Sequence, residues 1–335
     1  MPYQLCAKLS KYEYNRTQIF KMRNELRVIM SATTETMKTQ QMWEAQAEFK
    51  EYMSAVNPKM PIIDVASFPS ELHSSGDTRL IPFDLAEQLQ TAYPASTPNL
   101  YAGYLRIKAG ESFKTDFKAA SQMFFVISGC GSTDMSYGTI EWKTGDLFTL
   151  PNVSDAMHIA TQDTSLYWVN DSALMEYLGV MPTKAKFEPV LYTQERITQA
   201  LNEVRAEDET RNRVGVLLSN PNFPITMTLT NTLWSLYNIL PKGVVQRPHR
   251  HNSIAIDHCV AAGPDTYTLI GTQVDDNGDI INPIKAMWTP GSTFITPPGW
   301  WHSHHNHSDE DAIVLPIQDA GLVMNMQILD FQLVK

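Results

Sequence analysis

The chain has 335 residues, of which 43% are hydrophobic and 19% charged; this composition is globular and excludes a largely disordered protein. A single core rarely grows beyond about 250–300 residues, so the length favours two domains or one duplicated unit. The formal net charge of −10 argues against nucleic acid as the main partner, because that affinity depends on Lys and Arg.

The N-terminal part of the chain is predicted to be helical. From Arg16 to Ala55, apolar residues such as Met22, Leu26 and Ile29 recur at steps of three and four. Several prolines follow and end the helical pattern. We therefore assign residues 1–95 to an N-terminal helical extension and a lead-in.

From about Leu100 the pattern changes to short apolar runs separated by Gly and Asp, which predicts β-strands. A second helix is predicted from Thr193 to Glu209, with Ile197, Leu201 and Val204 as its apolar stripe. Strands resume near Met227. These patterns predict an N-terminal β-domain (96–180), a helical linker (181–225) and a C-terminal β-domain (226–335).

The two β-domains look like copies of one another. Gly110 and Gly243 lie 133 residues apart, whereas Gly145 and Gly291 lie 146 apart, so the second copy carries about 13 extra residues, which we place around 273–285. Two all-β units of this size with Gly- and Pro-rich turns predict two small antiparallel barrels or jelly rolls.

Seven of the nine histidines fall between His249 and His307, inclusive. Because side chains alternate along a strand, His249 and His251 would share one face, and His302 from a later strand could complete a site of three imidazoles. Such a site suits iron, copper, nickel or zinc and leaves positions open. The alternative is a solvated loop that binds metal adventitiously.

The spacing of these residues resembles the two-part signature of the cupins. The first part is Gly243-x5-His249-x-His251, and the second is Gly291-x5-Pro297-x-Gly299-x2-His302-x3-Asn306. The glutamate that usually follows the second His is missing, since Ala255 and Ile256 stand there. The resemblance therefore implies three His ligands without a carboxylate.

The first β-domain lacks these residues. Counting from Gly110 places Asp116 and Lys118 at the positions of the His pair, and Ala156 at that of His302. His158 lies two residues out of place and is interpreted as structural. We expect a first cupin without metal.

A longer resemblance is to the gentisate 1,2-dioxygenase family, which includes salicylate and 1-hydroxy-2-naphthoate dioxygenases. It is carried by the segments 100–111 and 213–221 and by the stretch after His302. It implies a mainly β bicupin of two double-stranded β-helix barrels, Fe(II), a homodimer or homotetramer, and O2-dependent cleavage of a small aromatic substrate.

The chain departs from this family in several ways. The family carries its iron mainly in the N-terminal cupin, whereas here the ligands are in the C-terminal one. Asp257 stands where the family has an Arg that binds the substrate carboxylate, and Pro316 replaces an Asp. Asp257 could contact a substrate amine or hydroxyl, act as a displaced fourth ligand, or point outward at a bulge.

Other residues are candidates for the substrate site. Arg213 is a possible carboxylate anchor, Asn238 stands at a substrate-facing position of the family, and Trp301 is one of several aromatic residues that suit a planar substrate. Arg211, Arg247 and Arg250 are more typical of solvated surface charges.

The leading hypothesis is a mononuclear iron dioxygenase with His249, His251 and His302 as ligands and His304 as an acid or base near a substrate hydroxyl. A metal-dependent lyase, isomerase or decarboxylase is the second, with Asp257 as general base and another divalent metal possible. The third is a non-catalytic bicupin that binds a small ligand. The sequence names neither the substrate nor the metal.

The same sequence lacks a long apolar run and a recognisable secretory signal, and its three cysteines (Cys6, Cys130 and Cys259) are widely spaced. We therefore expect a cytoplasmic protein with neither a disulfide framework nor a membrane partner.

Overall fold

Short antiparallel strands are the most abundant regular structure among the described residues. The structure is a computed structural model that describes residues 16–56, 60–207 and 212–334. Its chain divides into two compact units, Met1–Met60 and Pro61–Lys335. Cys6 and Arg211 lie outside the described residues.

Among its described residues, the first unit contains one long helix, α1 (Arg16–Glu44), and a short 3-10 turn (Tyr52–Ala55). The predicted helix to Ala55 is therefore too long: Gln46 N–H bonds to the Trp43 carbonyl, an i→i+3 bond that tightens and closes the helix. Leu26 and Ile29 are exposed, so the expected apolar stripe is not a buried face.

The second unit contains all the strands of the described residues and four short helices, α2 (Ala86–Leu89), α3 (Ser172–Leu178), α4 (Gln194–Glu207) and α5 (Ala320–Asn325). The predicted second helix is confirmed as α4, which begins after Thr193 and buries Ile197 and Leu201. The strands are β1 (Ser67–Phe68), β2 (Arg79–Pro82), β3 (Tyr101–Ile107), β4 (Ser112–Thr115), β5 (Gln122–Ser128), β6 (Cys130–Met135), β7 (Gly138–Lys143), β8 (Leu147–Leu150), β9 (Ala156–Ala160), β10 (Thr164–Asn170), β11 (Val190–Tyr192), β12 (Val214–Leu217), β13 (Trp234–Leu240), β14 (His249–His251), β15 (Ala255–Ala261), β16 (Thr266–Gly271), β17 (Ile284–Met287), β18 (Thr293–Thr296), β19 (Trp301–Asn306), β20 (Ala312–Gln318) and β21 (Phe331–Leu333).

These strands form two barrels with the same topology. In the first barrel, β11-β8-β5-β10-β3-β2 faces β4-β9-β6-β7; in the second, β1-β18-β15-β20-β13-β12 faces β17-β16-β19-β14-β21. Strands β3 to β10 match β13 to β20 one for one, in order and in pairing. The prediction of a mainly β chain with two jelly-roll barrels, the bicupin fold, is confirmed.

The segments before each barrel exchange strands between the barrels. Strand β1, which precedes the first barrel, pairs with β18 of the second, with Ser67 opposite Phe294. Strand β11, which precedes the second barrel, pairs with β8 of the first. The predicted lead-in and linker therefore contribute strands to the barrels as well as connecting them.

Two buried aspartates also form reciprocal links between the two barrels. Asp171 accepts hydrogen bonds from Ser121 N–H (3.1 Å), in its own barrel, and from Thr232 Oγ1 (2.8 Å), at the entry to the other. Asp319, its counterpart in the second barrel, accepts from the equivalent Ile254 N–H (3.0 Å) and from Asn99 Nδ2 (2.7 Å), at the entry to the first barrel. Each carboxylate thus ties one barrel to the start of the other.

Three large apolar cores, besides one small cluster, pack within the described residues of this unit. One fills the first barrel, a smaller one fills part of the second, and the largest joins the two β-sheets that contact each other between the barrels. The smaller core of the second barrel leaves room for polar side chains in its interior. Within the described residues, no helix combines the length and apolar character that crossing a membrane requires.

Candidate metal centre

Two neighbouring strands bring three histidines together inside the second barrel. His249 and His251 lie on β14, and His302 on β19 is the direct cross-strand partner of His249. One ligand atom from each of these three buried residues lies within 4.8 Å of the others. Within the part of the chain that the structure describes, this is the one group of three or more His, Cys, Asp or Glu side chains so arranged.

A glycine turn sets the relative position of these strands. Gly299, just before β19, has φ of +76°, a conformation that favours glycine, and its N–H bonds to the His251 carbonyl at 2.7 Å. The turn therefore joins the start of one ligand strand to the end of the other. This explains why a Gly stands three residues before His302.

The ring orientations suit metal binding. His251 Nδ1 lies 2.8 Å from the Ser253 carbonyl and His302 Nδ1 lies 3.1 Å from the Trp300 carbonyl, so each Nδ1–H donates and each Nε2 is left as a free ligand atom. His249 Nδ1 is buried without a hydrogen-bond partner among the described residues. Burial lowers the pKa of all three rings, which keeps them neutral, as ligands must be. The donor set thus fits a divalent metal.

These histidines form one side of a cavity of about 380 Å³. Its walls are mainly apolar, and the other polar groups that line it include four of the predicted site residues. The lining residues are Arg213, Gly215, Val216, Leu217, Trp234, Leu236, Asn238, Gln246, His249, His251, Asp257, His302, His304, Val314, Pro316, Gln318 and Phe331.

Asp257 points into this cavity and is buried. It lies on β15 between Phe294 and Pro316 on the neighbouring strands, and Thr296 Oγ1 donates to its Oδ2 at 2.7 Å. Burial raises the pKa of Asp257 to about 7. Its carboxylate is not among the clustered ligand atoms, so the geometry does not make it a fourth ligand.

Arg213 and Asn238 line the same cavity from β12 and β13. Arg213 precedes β12, is partly buried and donates from Nη2 to the Arg247 carbonyl at 3.2 Å. Asn238 lies opposite Gly215, where a Cβ would come within 3.1 Å of Asn238 Oδ1. A glycine at 215 therefore leaves the space that the Asn238 side chain occupies.

His304 belongs to a hydrogen-bonded relay, here called the second relay (Trp288, Thr268 and His304). Trp288 Nε1–H donates to Thr268 Oγ1 at 2.8 Å, and Thr268 Oγ1 lies 2.9 Å from His304 Nδ1. Within the described residues, Nδ1 is the acceptor available to the hydroxyl proton of Thr268. The ring proton of His304 therefore resides on Nε2, and burial lowers its pKa to about 3, so the ring is a neutral donor at neutral pH.

The first barrel contains the same arrangement, the first relay (Trp142, Thr133 and His158). Trp142 Nε1–H donates to Thr133 Oγ1 at 2.9 Å, and Thr133 Oγ1 lies 2.8 Å from His158 Nδ1. His158 Nε2 ends on Thr115 Oγ1 at 3.0 Å. Neither relay was predicted, although the internal repeat contains the signal: each member of the first relay has its counterpart in the second.

Strand register corrects one sequence alignment. Thr115 lies opposite Ala156, just as His249 lies opposite His302, so Thr115 holds the position of His249. The assignment of Asp116 and Lys118 to the His pair is therefore wrong by one residue, because the second barrel has one more residue between its glycine turn and its ligand strand. Lys118 is instead exposed and lies 3.9 Å from Glu176.

Trp301 is the predicted substrate residue that the structure places elsewhere. It is a neighbour of His302 on β19, so it faces away from the cavity, and the Arg250 guanidinium lies 5.1 Å above its ring. His305 also lies away from the cavity and stacks on Tyr267. Phe331, which lines the cavity from β21, was not predicted from the sequence.

No protein-family model matches the chain. A 1-hydroxy-2-naphthoate 1,2-dioxygenase from Nocardioides sp. (strain KP7) is 24% identical over 164 residues, which are 48% of this chain and 38% of that protein. A 5-aminosalicylate 1,2-dioxygenase from Comamonas sp is 28% identical over 135 residues, which are 39% of this chain and 36% of that protein. The chain thus matches less than half the length of either relative.

The fold is similar to that of salicylate 1,2-dioxygenase from Pseudaminobacter salicylatoxidans. The two structures superpose with a TM-score of 0.67 over 89% of this chain and 98% of that one, at 14% sequence identity. This likeness concerns the arrangement of the strands, since so few side chains are shared.

Proposed function

We propose that this chain, a divergent gentisate-dioxygenase-like cupin, is a mononuclear iron enzyme that uses O2 to cleave the ring of a hydroxylated aromatic acid. The observation that carries the proposal is the set of three buried imidazoles beside an apolar, ring-sized cavity. The names of the two sequence relatives, and gentisate bound in a solved salicylate 1,2-dioxygenase of the same fold, support an aromatic substrate.

His249, His251 and His302 would hold the metal. Three neutral ligands leave its positive charge uncancelled, which favours an anionic substrate, and they leave open positions beside the cavity. Iron bound there would supply the oxygen chemistry, while the barrel excludes water and holds the ring in place.

Arg213 and Asp257 would orient the substrate. A guanidinium can bind a carboxylate through paired hydrogen bonds, so Arg213 is suited to the acid group of the substrate. Asp257 would repel a carboxylate, but it can accept a hydrogen bond from a hydroxyl or an amine. With a pKa of about 7, Asp257 can take up the proton of a substrate hydroxyl near neutral pH. The favoured substrate therefore carries a carboxylate together with a hydroxyl or amino group.

His304 would act as a hydrogen-bond donor rather than as an acid. Its Nε2–H is set by the second relay and its low pKa leaves the ring neutral, so it can donate to an oxygen atom of the substrate without changing charge. We also expect a homodimer or homotetramer, on the strength of the family resemblance.

Anaerobic loading with Fe(II), followed by oxygen uptake, tests the function. The substrates are gentisate, salicylate, 5-aminosalicylate, 1-hydroxy-2-naphthoate and aminophenols, with the His249→Ala/His251→Ala variant as the inactive control. We expect uptake with at least one of these compounds and formation of a ring-opened product. Turnover without oxygen, with Mn or Zn as well as Fe, would instead favour a lyase, isomerase or decarboxylase, and absence of turnover with every compound would refute ring cleavage.

A further inference from the structure

The edge of the metal-bearing sheet carries a strand that the first barrel does not have. In the described residues, the first barrel's four-stranded sheet ends at β4, whereas the matching sheet continues from β14 to β21. Strand β21 pairs directly with the ligand strand, with Phe331 opposite His251 and Leu333 opposite His249. An element added beside the ligands in one copy of a repeat is a candidate for a role specific to that copy.

Phe331 is the residue of this strand that reaches the cavity. Cross-strand partners share a face of the sheet, so Phe331 lies on the same side as His251. Its ring is nearly parallel to that of His251, with a centroid distance of 6.2 Å and an angle of 12°, and lies 5.4 Å from His249. Phe331 is 52% exposed and also lines the cavity, so its side chain lies between the cavity and solvent. Phe331 therefore stands at the cavity mouth.

The opposite face of the strand is anchored. Arg250 donates from Nε and Nη2 to Gln332 Oε1 at 3.1 and 2.8 Å, and the same guanidinium lies over Trp301. Asn252 donates from Nδ2 to the Ile328 carbonyl at 2.7 Å and accepts at Oδ1 from Asp330 N–H at 2.9 Å. Val334 N–H bonds to the Pro248 carbonyl at 3.0 Å. These bonds hold both ends of β21 in register with the ligand strand.

We propose that Phe331 is a substrate-positioning residue whose ring packs against the face of the bound aromatic ring and limits the ring size that the cavity admits. This proposal rests on the proposed function for the kind of ligand, and it assigns Arg250 and Trp301 to holding β21 in place. A single-ring acid would be stacked by Phe331, whereas a fused two-ring acid would compete with it for the mouth of the cavity.

Binding measurements that need no turnover test the proposal. Protein loaded with Co(II) instead of iron is titrated anaerobically with gentisate and with 1-hydroxy-2-naphthoate, and the visible absorbance of the metal reports occupancy. We expect Phe331→Ala to weaken gentisate binding about tenfold and to shift the preference toward the two-ring acid by at least a further factor of three. Phe331→Tyr should restore the wild-type affinity, because it keeps the ring.

Leu329→Ala is the matched control, since Leu329 lies in the same segment, is partly exposed and does not line the cavity. Gln332→Ala removes an anchor without touching the cavity and should weaken gentisate binding in the same direction as Phe331→Ala, by about threefold. Equal binding by wild type and Phe331→Ala, an equal loss in Leu329→Ala, or failure of wild type to bind either acid would overturn the proposal. Binding as expected but without oxygen uptake would refute the proposed dioxygenase activity and leave the role of Phe331 supported.

Discussion

The two barrels contain the same relay of tryptophan, threonine and histidine, but the Nε2 atom of the histidine has different surroundings in each barrel. In the first barrel the last nitrogen, His158 Nε2, meets Thr115 in a fully buried interior. In the second barrel the position of Thr115 belongs to His249, and the corresponding nitrogen of His304 faces a cavity instead. A closed and an open barrel interior can therefore differ at few positions, because the supporting hydrogen bonds are present in both barrels.

The largest expected effect concerns the ligands that distinguish the second barrel. His249→Ala/His251→Ala should lose the metal and reduce turnover at least about a thousandfold, because one imidazole cannot hold the ion. Thr115→Ala, the matched change in the first barrel, should keep about one metal ion per chain and lose about 1–2 kcal/mol of stability from the unpaired His158. Metal analysis measures the metal content, urea unfolding measures the stability, and oxygen uptake measures the turnover. Equal metal loss in both variants would refute the division of roles between the barrels.

The next effect concerns a feature that both barrels share. Asp171→Ala and Asp319→Ala each remove hydrogen-bond acceptors from buried donors at the junction of the barrels, so each should lower the free energy of unfolding by about 3–5 kcal/mol. Urea unfolding measures the change, and Asp116→Ala, at an exposed position of the first barrel, should change it by less than about 0.5 kcal/mol. A large loss in one variant and none in the other would show that the reciprocal bonds are not equivalent.

The contribution of Asp171 to stability should also depend on pH. Burial raises the pKa of Asp171 from an unfolded value of 3.8 to about 6, so the folded state holds this proton more tightly. Its contribution to stability is complete below pH 3.8 and is lost as the pH rises through 6. The stability of wild type relative to Asp171→Asn should therefore fall by about 3 kcal/mol between pH 3.5 and pH 7. A constant difference across this range would contradict the raised pKa.

The smallest expected effect is a difference between the two relays in their influence on kcat. Thr133→Val and Thr268→Val each leave a buried indole N–H and an imidazole nitrogen without partners, and each should cost about 2 kcal/mol of stability. Thr268→Val should also reduce kcat about tenfold with the metal retained, because the proton on His304 is no longer directed to Nε2. Thr268→Ser should restore kcat. A similar loss of kcat in Thr133→Val would show that the relays act only through stability.

Much of the fold and the three clustered histidines could be predicted because the information is local. The cupin spacing places His249, His251 and His302 by strand alternation and one glycine turn, and these constraints lie within a few residues of each histidine. The duplication was equally visible, because its glycines and prolines keep their offsets over whole β-domains.

The remaining features depend on pairing between distant segments. The shift from Asp116 to Thr115 arises from one additional residue in a turn, which no offset between the glycines reveals. Strand β21 has three residues and pairs with a strand about 80 residues earlier, so no local sequence pattern predicts it. Trp301 was assigned to the substrate by residue type, whereas the alternation next to His302 places it on the outer face.

The exchange of β1 has a consequence for synthesis on the ribosome. Ser67 pairs with Phe294, which lies roughly 230 residues later along the chain. At about 5–20 residues per second, synthesis of the intervening chain takes roughly ten to forty-five seconds. Strand β11 follows its partner β8 by only about 40 residues. The first barrel can therefore close while translation continues, but the segment that leads into it stays unpaired until most of the second has emerged. Slowing translation between the barrels should lengthen the life of that exposed segment and of the aggregation risk that it carries.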